Sequence, residues 1–530
     1  MIEIGTTDPV LVMYDIRGKQ DFIYRSSKIK EIVGGSAIIR DCFTDYLYPA
    51  AIKVRNRIEA SDDNRKSAIY SYNAFSETLE KFSFDRFIKR VSEEQYLGEV
   101  IYDGGGNFLI LFKNREIQKA VTAQFTRDVI RHTGTLRVLC TCIGSLRPDH
   151  YHSENPLDPG DYDRLYQQHR HDENQITASE PYASLPCVQA DYYSARPLTA
   201  EYRTDPEHPR AKITRESLAK YHKYADSKLH KLHKGEQDHA CRILDHMVAD
   251  TRGDSSLLSV IYMDGNSMGA KVQACLKGKT SYEDCVNELR RFSGEIQKCF
   301  VDDRKKDLKT AFREDRDRLV IGAGDEITII CKAVSAYKYM KEYLLNLPDG
   351  YSSCAGAVIF HSHTPFSDAY RIAEECCETG KIYMREHQLQ NVCLMDFEYC
   401  QGAIGVSLDE IREQNEDTDN SRPWLVCGDA SGHALYSLEE IEQVRESMDI
   451  LGRSNIKGLL EPAMLGNTAF SLEIKRILSH MTEEKRNQLP GNTDEERIRY
   501  FSDHRTLIAD LVKMYDVGFG KDPDTEGENR

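Results

Sequence analysis

The sequence predicts an α+β protein in which one strand-and-helix plan occurs twice and a helical region follows. Three observations lead there. An apolar strand ends in an acid twice, at Asp15 in VLVMYD (10–15) and at Asp264 in SVIYMD (259–264). A strand, a glycine turn and a second strand follow each, in EVIYDGGGNFLILFK (99–113) and RLVIGAGDEITIIC (318–331), which is the pattern of a β-hairpin. A further apolar strand comes after a comparable gap, at 136–143 and at 353–360. Self-similarity on this scale marks a duplicated domain.

Composition narrows the class. With 530 residues, 40% hydrophobic and 29% charged, several globular domains are expected. A formal net charge of −16 argues against a surface that coats nucleic acid, since phosphate binding wants a basic face. No run approaches the roughly 18 apolar residues of a membrane span. The start, MIEIGTTDPVL, has an acid and no basic stretch, so no signal peptide is expected. Fifteen cysteines are scattered without CxxC pairs. Buried reduced thiols in a cytoplasmic protein are the expectation.

In chain order, the loop Arg17-Gly18-Lys19-Gln20 leads to a helix opened by Phe22 and Ile23, and 27–47 reads as helical on both sides of Gly34-Gly35. Val100–Tyr102, the turn Gly104-Gly105-Gly106 and Phe108–Phe112 form the first hairpin, before a helix near 115–131 and the strand 136–145. Matching the glycine turns puts Asn107 in the place of Asp325 and Phe108 in that of Glu326. An amide does not replace a carboxylate as a strong Mg²⁺ ligand. The first copy is therefore expected to lack a metal site while its glycines stay fit to receive a ligand.

The stretch 147–255 is polar and rich in histidine (His150, His152, His169, His171, His222, His230, His233), but few cysteines, Cys187 and Cys241, accompany them and no zinc-ligand spacing appears. His171-Asp172 sits in a loop-like part of it, and 213–250 reads as connecting helices. Beyond about 402 the pattern turns helical, at 438–452, 471–481 and 496–515, and the tail 521–530 reads as disordered.

The chemistry gathers in the second copy. Gly265, Asn266 and Gly269 loosen the backbone after Asp264, where α/β sheets place a metal-binding carboxylate beside a phosphate. The hairpin Gly322-Ala323-Gly324 carries Asp325 and Glu326 at its tip. Adjacent like charges repel unless a cation lies between them, and a nucleotide-bound Mg²⁺ takes one or two carboxylates plus phosphate oxygens. Asp264, Asp325 and Glu326 are the expected catalytic and metal residues, with Mg²⁺ or Mn²⁺ as cofactor.

DGNSMG (264–269) followed by AGDE (323–326), and in the first half DIRGKQDFIY, KEIVGGSA and DGGGNFLILF, resemble the large polymerase/cyclase subunit of type III CRISPR effectors. That family belongs to the palm superfamily that also holds the GGDEF diguanylate cyclases. The resemblance covers roughly residues 10–145 and 255–400. It implies two palm (ferredoxin-like, GGDEF/cyclase-type) domains, the first degenerate at 1–146 and the second metal-binding at 256–400. An insertion at 147–255 and a helical domain at 401–520 complete the expected plan. SSCAGAVIFHSHTPFSDAYRIAEECCETGK (352–381) places Lys381 where the family has a phosphate-contacting lysine. Gly265, Asn266, Met268, Gly269, Gly324 and the turn Gly104–Gly106 are expected to bind nucleotide.

The implied activity is joining of nucleoside triphosphates, ATP favoured, into a cyclic nucleotide messenger in anti-phage defence. The implied partners are other subunits of a CRISPR-type RNA complex or a second copy of the chain, and no membrane. Two departures stand out. No room precedes Asp15 for the family's N-terminal nuclease domain, and the second turn reads Ala323-Gly324-Asp325-Glu326 where Gly-Gly-Asp-Asp is usual. The alternatives are an inactive scaffold subunit and a diguanylate cyclase.

Overall fold

The computed structural model describes residues 7–26, 28–60, 64–72, 81–104, 107–175, 187–191, 194–202, 210–226, 257–306, 317–362, 364–400, 405–414 and 420–517. The chain divides into two compact units that alternate along the sequence. One holds Met1–Ile243, Ser267–Val301 and Ala323–Asp325; the other holds Leu244–Asn266, Asp302–Gly322 and Glu326–Arg530.

The first unit contains β1 (Val10–Arg17), β2 (Ile69–Tyr70), β3 (Gly98–Gly104), β4 (Asn107–Phe112) and β5 (Arg137–Ile143), in the order β2-β3-β4-β1-β5. Its helices are α1 (Lys19–Tyr24), α2 (Ile29–Arg40), α3 (Tyr48–Glu59), α4 (Phe84–Glu93), α5 (Arg115–Thr133), α6 (Asp161–Gln175), α7 (Arg215–Asp226), α8 (Met268–Leu276) and α9 (Tyr282–Ile296). The strand pair β6 (Ala200–Tyr202) and β7 (Ala211–Ile213) joins them.

Strand side chains alternate between faces, so β1 feeds two cores. Val12, Tyr14, Phe108 and Ile110 pack with Val54 of α3 and Phe125 of α5. Leu11, Met13, Leu109 and Leu111 pack with Leu165 of α6. Helix α2 runs unbroken through Gly34-Gly35, and α7 crosses it there: a Cβ on Gly34 would lie 2.0 Å from the Lys220 carbonyl oxygen. The glycines serve close helix packing.

The second unit contains β8 (Leu257–Gly265), β9 (Arg318–Ala323), β10 (Glu326–Lys332), β11 (Ser353–His361), β12 (Cys393–Tyr399) and β13 (Trp424–Cys427), in the order β13-β12-β11-β8-β10-β9. Helices α10 (Ala336–Leu345) and α11 (Phe366–Glu386) pack on it. The C-terminal helices include α12 (Leu438–Leu451), α13 (Asn467–His480), α14 (Asp494–Asp503) and α15 (Arg505–Met514).

The orders β3-β4-β1-β5 and β9-β10-β8-β11 are the same, and in each the central strand is antiparallel to both neighbours. This is the four-stranded arrangement of the ferredoxin-like motif. The protein is α+β with two palm-type sheets and a helical C-terminal part.

Several expectations change. The register pairs Asp15 with Asn107 and Asp264 with Glu326, so Asn107 answers to Glu326 and not to Asp325. Each hairpin has a two-residue connection, 105–106 and 324–325, and counting from those connections shifts the match by one. Phe108 then answers to Ile327, and both are core residues. The last strands shift as well, because Leu139 faces Asp15 where Cys354 faces Asp264.

His171 and Asp172 lie on α6, a helix that packs on β1 and β5, not in a loop. The region past 402, read as helical, contributes the strand β13, which pairs antiparallel with β12. Four apolar or sulfur-bearing residues, Trp424–Cys427, are too short a run to announce a strand. Helices α8 and α9 follow Asp264 in sequence, yet their Leu276, Tyr282, Val286 and Leu289 lie in the core with Leu11 and Met13. Arg290 of α9 is buried against Glu99 of β3 at 3.3 Å, and Arg90 of α4 pairs with the same carboxylate at 2.8 Å. The tail 521–530 lies outside the described residues.

Candidate active site

Asp264 sits near the end of β8, which holds a central position in its sheet. Apolar residues from Leu258 to Met263 bury the strand up to that point, and the acid emerges where the sheet meets solvent. Its cross-strand neighbours are Glu326 on β10 and Cys354 on β11. Like charges placed directly opposite in a ladder destabilise it. Here a cation answers them: the Lys381 ammonium of α11 donates to Asp264 Oδ2. Burial pulls the Lys381 pKa down, but the Asp264 carboxylate outweighs this and raises it above the ordinary value.

Helix α11 reaches the site because Gly356 on β11 lets it approach. A Cβ there would lie 2.0 Å from the Ala373 carbonyl oxygen and 2.3 Å from the Cys377 amide nitrogen. Tyr370, on the same helix, donates its hydroxyl to Glu326 Oε1 at 3.4 Å and packs edge-on against Tyr262 at 5.5 Å. Tyr262 lies two residues before Asp264, on the same face. Burial first, and then the charges of Glu326 and Asp264, push its phenol pKa up. Sequence reading passed over both tyrosines; the two-residue strand period is the signal that finds Tyr262, whereas Tyr370 has none.

The loop after Asp264 is held rigidly. Gly265 pairs with Ser353, whose hydroxyl donates to the Asp264 carbonyl at 2.8 Å. Asn266 is buried and turned inward, its amide nitrogen donating to Ser352 Oγ at 3.2 Å and to the Val392 carbonyl at 3.1 Å. It braces three segments of the second unit.

Met268 and Gly269 open α8, which belongs to the first unit. A Cβ on Gly269 would meet nothing within 4 Å, so packing does not require that glycine. At the hairpin tip Gly324 takes φ +63°, as the first residue of a two-residue connection demands. Its amide donates to Gln297 Oε1 at 3.0 Å, and Asp325 follows it. In the first sheet the Tyr102 ring covers Gly104, where a Cβ would lie 2.1 Å from its hydroxyl. Gly105 and Gly106 lie outside the described residues. The structure thus brings Asp264, Glu326 and Lys381 together, with Gly265 and Asn266 behind them.

The donors suit a hard cation. Asp264 and Glu326 offer carboxylate oxygens, Asp325 is one residue away in the chain, and among the described residues no set of three or more His, Cys, Asp or Glu forms a ready metal cage. Mg²⁺ fits such a partial set, since it binds through one or two carboxylates and completes its shell with water and phosphate.

Each sheet is built on an antiparallel four-stranded core of ferredoxin-like order, and the second carries an acidic pair on its central ladder. Solved structures similar to this chain include Csm1–Csm4 cassettes. One, in complex with pppApApA, matches at 13% identity and a TM-score of 0.47 over 96% of this chain and 70% of that one. Another, in complex with one ATP, matches at 12% identity and a TM-score of 0.47 over the same shares. A third, in complex with AMPPNP, matches at 12% and a TM-score of 0.42, where the chain spans 54% of its length. No protein-family model matches the chain, and no curated protein matches it. Among the described residues no helix is long and apolar enough to cross a membrane.

Proposed function

We propose that the chain is a divalent-metal-dependent nucleotidyl cyclase or oligonucleotide synthase. It would join nucleoside triphosphates, ATP favoured by the sequence resemblance, into a cyclic nucleotide messenger in CRISPR-like anti-phage defence. The observation that carries this reading is the Asp264–Glu326 pair, set directly opposite each other beside Lys381. Mg²⁺ or Mn²⁺ would be held by Asp264, Glu326 and Asp325, and supplies the charge that acidifies a ribose hydroxyl and neutralises a triphosphate. Lys381 would exchange Asp264 for a phosphate oxygen, which suits a compact point charge on a flexible stem. Tyr370 orients Glu326, and Ser353 and Asn266 keep the backbone at Asp264 in place. Gly324, and the Gly104–Gly106 turn for a second nucleotide, would pass close to the ligands. Other subunits of an RNA-containing complex, or a second copy of the chain, are the partners proposed.

Incubating the purified chain with each labelled triphosphate and Mg²⁺ or Mn²⁺ tests the reading. Product from ATP that disappears in Asp325→Ala supports it; product from GTP alone turns it to diguanylate synthesis. A second reading, an inactive scaffold subunit, is favoured by the Lys381 ion pair, which already neutralises Asp264. It predicts no product from any triphosphate.

A further inference from the structure

Cys393 on β12 and Cys427 on β13 are direct partners across an antiparallel ladder, just beyond an irregularity in the register. Directly paired residues have Cα atoms about 4.5–5.5 Å apart, within the roughly 4.4–6.8 Å that a disulfide spans. Both sulfurs lie on one face, aimed at the Leu344 carbonyl of α10 at 4.0 and 3.8 Å. Both are free thiols, Cys393 buried and Cys427 half-buried. One is sheltered and one can be reached from solvent.

We propose that Cys393 and Cys427 form a redox-modification site, a cross-strand dithiol that closes to a disulfide by exchange with a low-molecular-weight disulfide. The Cys427 thiolate attacks one sulfur of the oxidant, forming a mixed disulfide and releasing one thiolate. The Cys393 sulfur then attacks the Cys427 sulfur and expels the second thiol, its own proton passing to the departing thiolate. Two protein thiols are oxidised and one small disulfide is reduced to two thiols.

The order of attack follows from exposure, since Cys427 is half-buried and Cys393 is buried. The proximity of the two sulfurs acts in the same sense, holding the Cys427 pKa below the ordinary value and raising that of Cys393. Burial pushes the nearby Cys354, Cys376 and Cys377 thiols up, so they are poor attacking groups. The site adjoins the brace of the active-site loop. Asn266 donates to the carbonyl of Val392, the residue before Cys393. Gly428, the residue after Cys427, lies so close that a Cβ there would be 2.8 Å from the Val392 Cα. A bond at this point would staple the segment that Asn266 grips.

The test is to treat the full chain with oxidised glutathione near neutral pH, block remaining thiols with N-ethylmaleimide, and map peptides without reduction. The expected result is a Cys393–Cys427 linked peptide, loss of maleimide from both residues, and reversal by dithiothreitol. In Cys393→Ser, Cys427 should retain a glutathione adduct; in Cys427→Ser, Cys393 should stay unmodified. The proposal is overturned if both cysteines of the parent remain labelled, or if Cys427 carries glutathione beside a maleimide-labelled Cys393.

Discussion

The two sheets share a strand order and an aspartate near the end of the central strand, and differ in what surrounds it. Asp15 faces the neutral Asn107 and is met by Arg17 at 3.3 Å, Lys19 at 3.6 Å and His169 of α6 at 3.7 Å. Asp264 faces Glu326 and is met by Lys381 of α11. In each case the helix after the last common strand delivers a basic side chain to the acid. The first sheet surrounds its aspartate with basic side chains, while the second sets it directly opposite another carboxylate with Lys381 alongside. The second is the sheet where a metal ion and a phosphate are proposed to bind.

The largest effect that sharpens this contrast is chemical. Asp325→Ala should lower product formation by about 10²–10³-fold or more, the scale expected when transition-state charge loses its stabilisation. Asn107→Ala at the matching hairpin should leave the rate within its order of magnitude. Equal losses in labelled-product assays would erase the distinction between the sheets.

Next comes a stability effect confined to the first unit. Arg290→Met takes away one of the two arginines, Arg290 and Arg90, that pair with the fully buried Glu99. Breaking a buried pair on one side costs about 3–5 kcal/mol, and urea unfolding should show it. A loss no larger than that of an exposed arginine would mean that Glu99 is not charged in the folded state.

A pair of matched positions follows. Gly356→Ala forces a methyl into the backbone of α11, with contacts of 2.0 and 2.3 Å, and overpacking of this kind costs about 1–3 kcal/mol. Its counterpart Thr141 faces α6 and donates to Asp172 at 2.9 Å. Thr141→Ala should lose only about 1 kcal/mol, the net worth of a hydrogen bond. The reverse ranking in thermal unfolding would show that α11 is not held closer than α6.

The smallest effect is the Lys381 ion pair, which is partly exposed and worth under about 1 kcal/mol. The folded pKa of Lys381 is raised. Its stabilisation is therefore fully present below the unfolded value of about 10.4 and is lost as pH rises through the higher folded value. The stability difference between the parent and Lys381→Met should hold constant at neutral pH and vanish in that alkaline window. A constant difference throughout would show that packing, not charge, holds the lysine.

Much of the site was legible because strands write their pattern locally. The apolar run to Asp264, the glycine at 324 and the acids at 325 and 326 follow from residue type and a period of two. The one-residue error at Asn107 arose because glycines were matched to glycines, although the connections 105–106 and 324–325 set the register. Tyr370 was missed because nothing in a helix sequence says which strand it will cover. Gly34-Gly35 reads as a helix breaker on propensity, but a crossing helix makes it a contact point.

Sequence alone determined the duplication, the acidic hairpin and the loss of acids in the first copy, because these depend on side-chain type and short-range spacing. Tertiary structure alone decided that α8 and α9 bury their apolar faces in the first unit, that Lys381 meets Asp264, and that Cys393 meets Cys427. Burial of apolar area is non-directional. A helix with an apolar face therefore states that it must be covered, and only the assembled fold states by what.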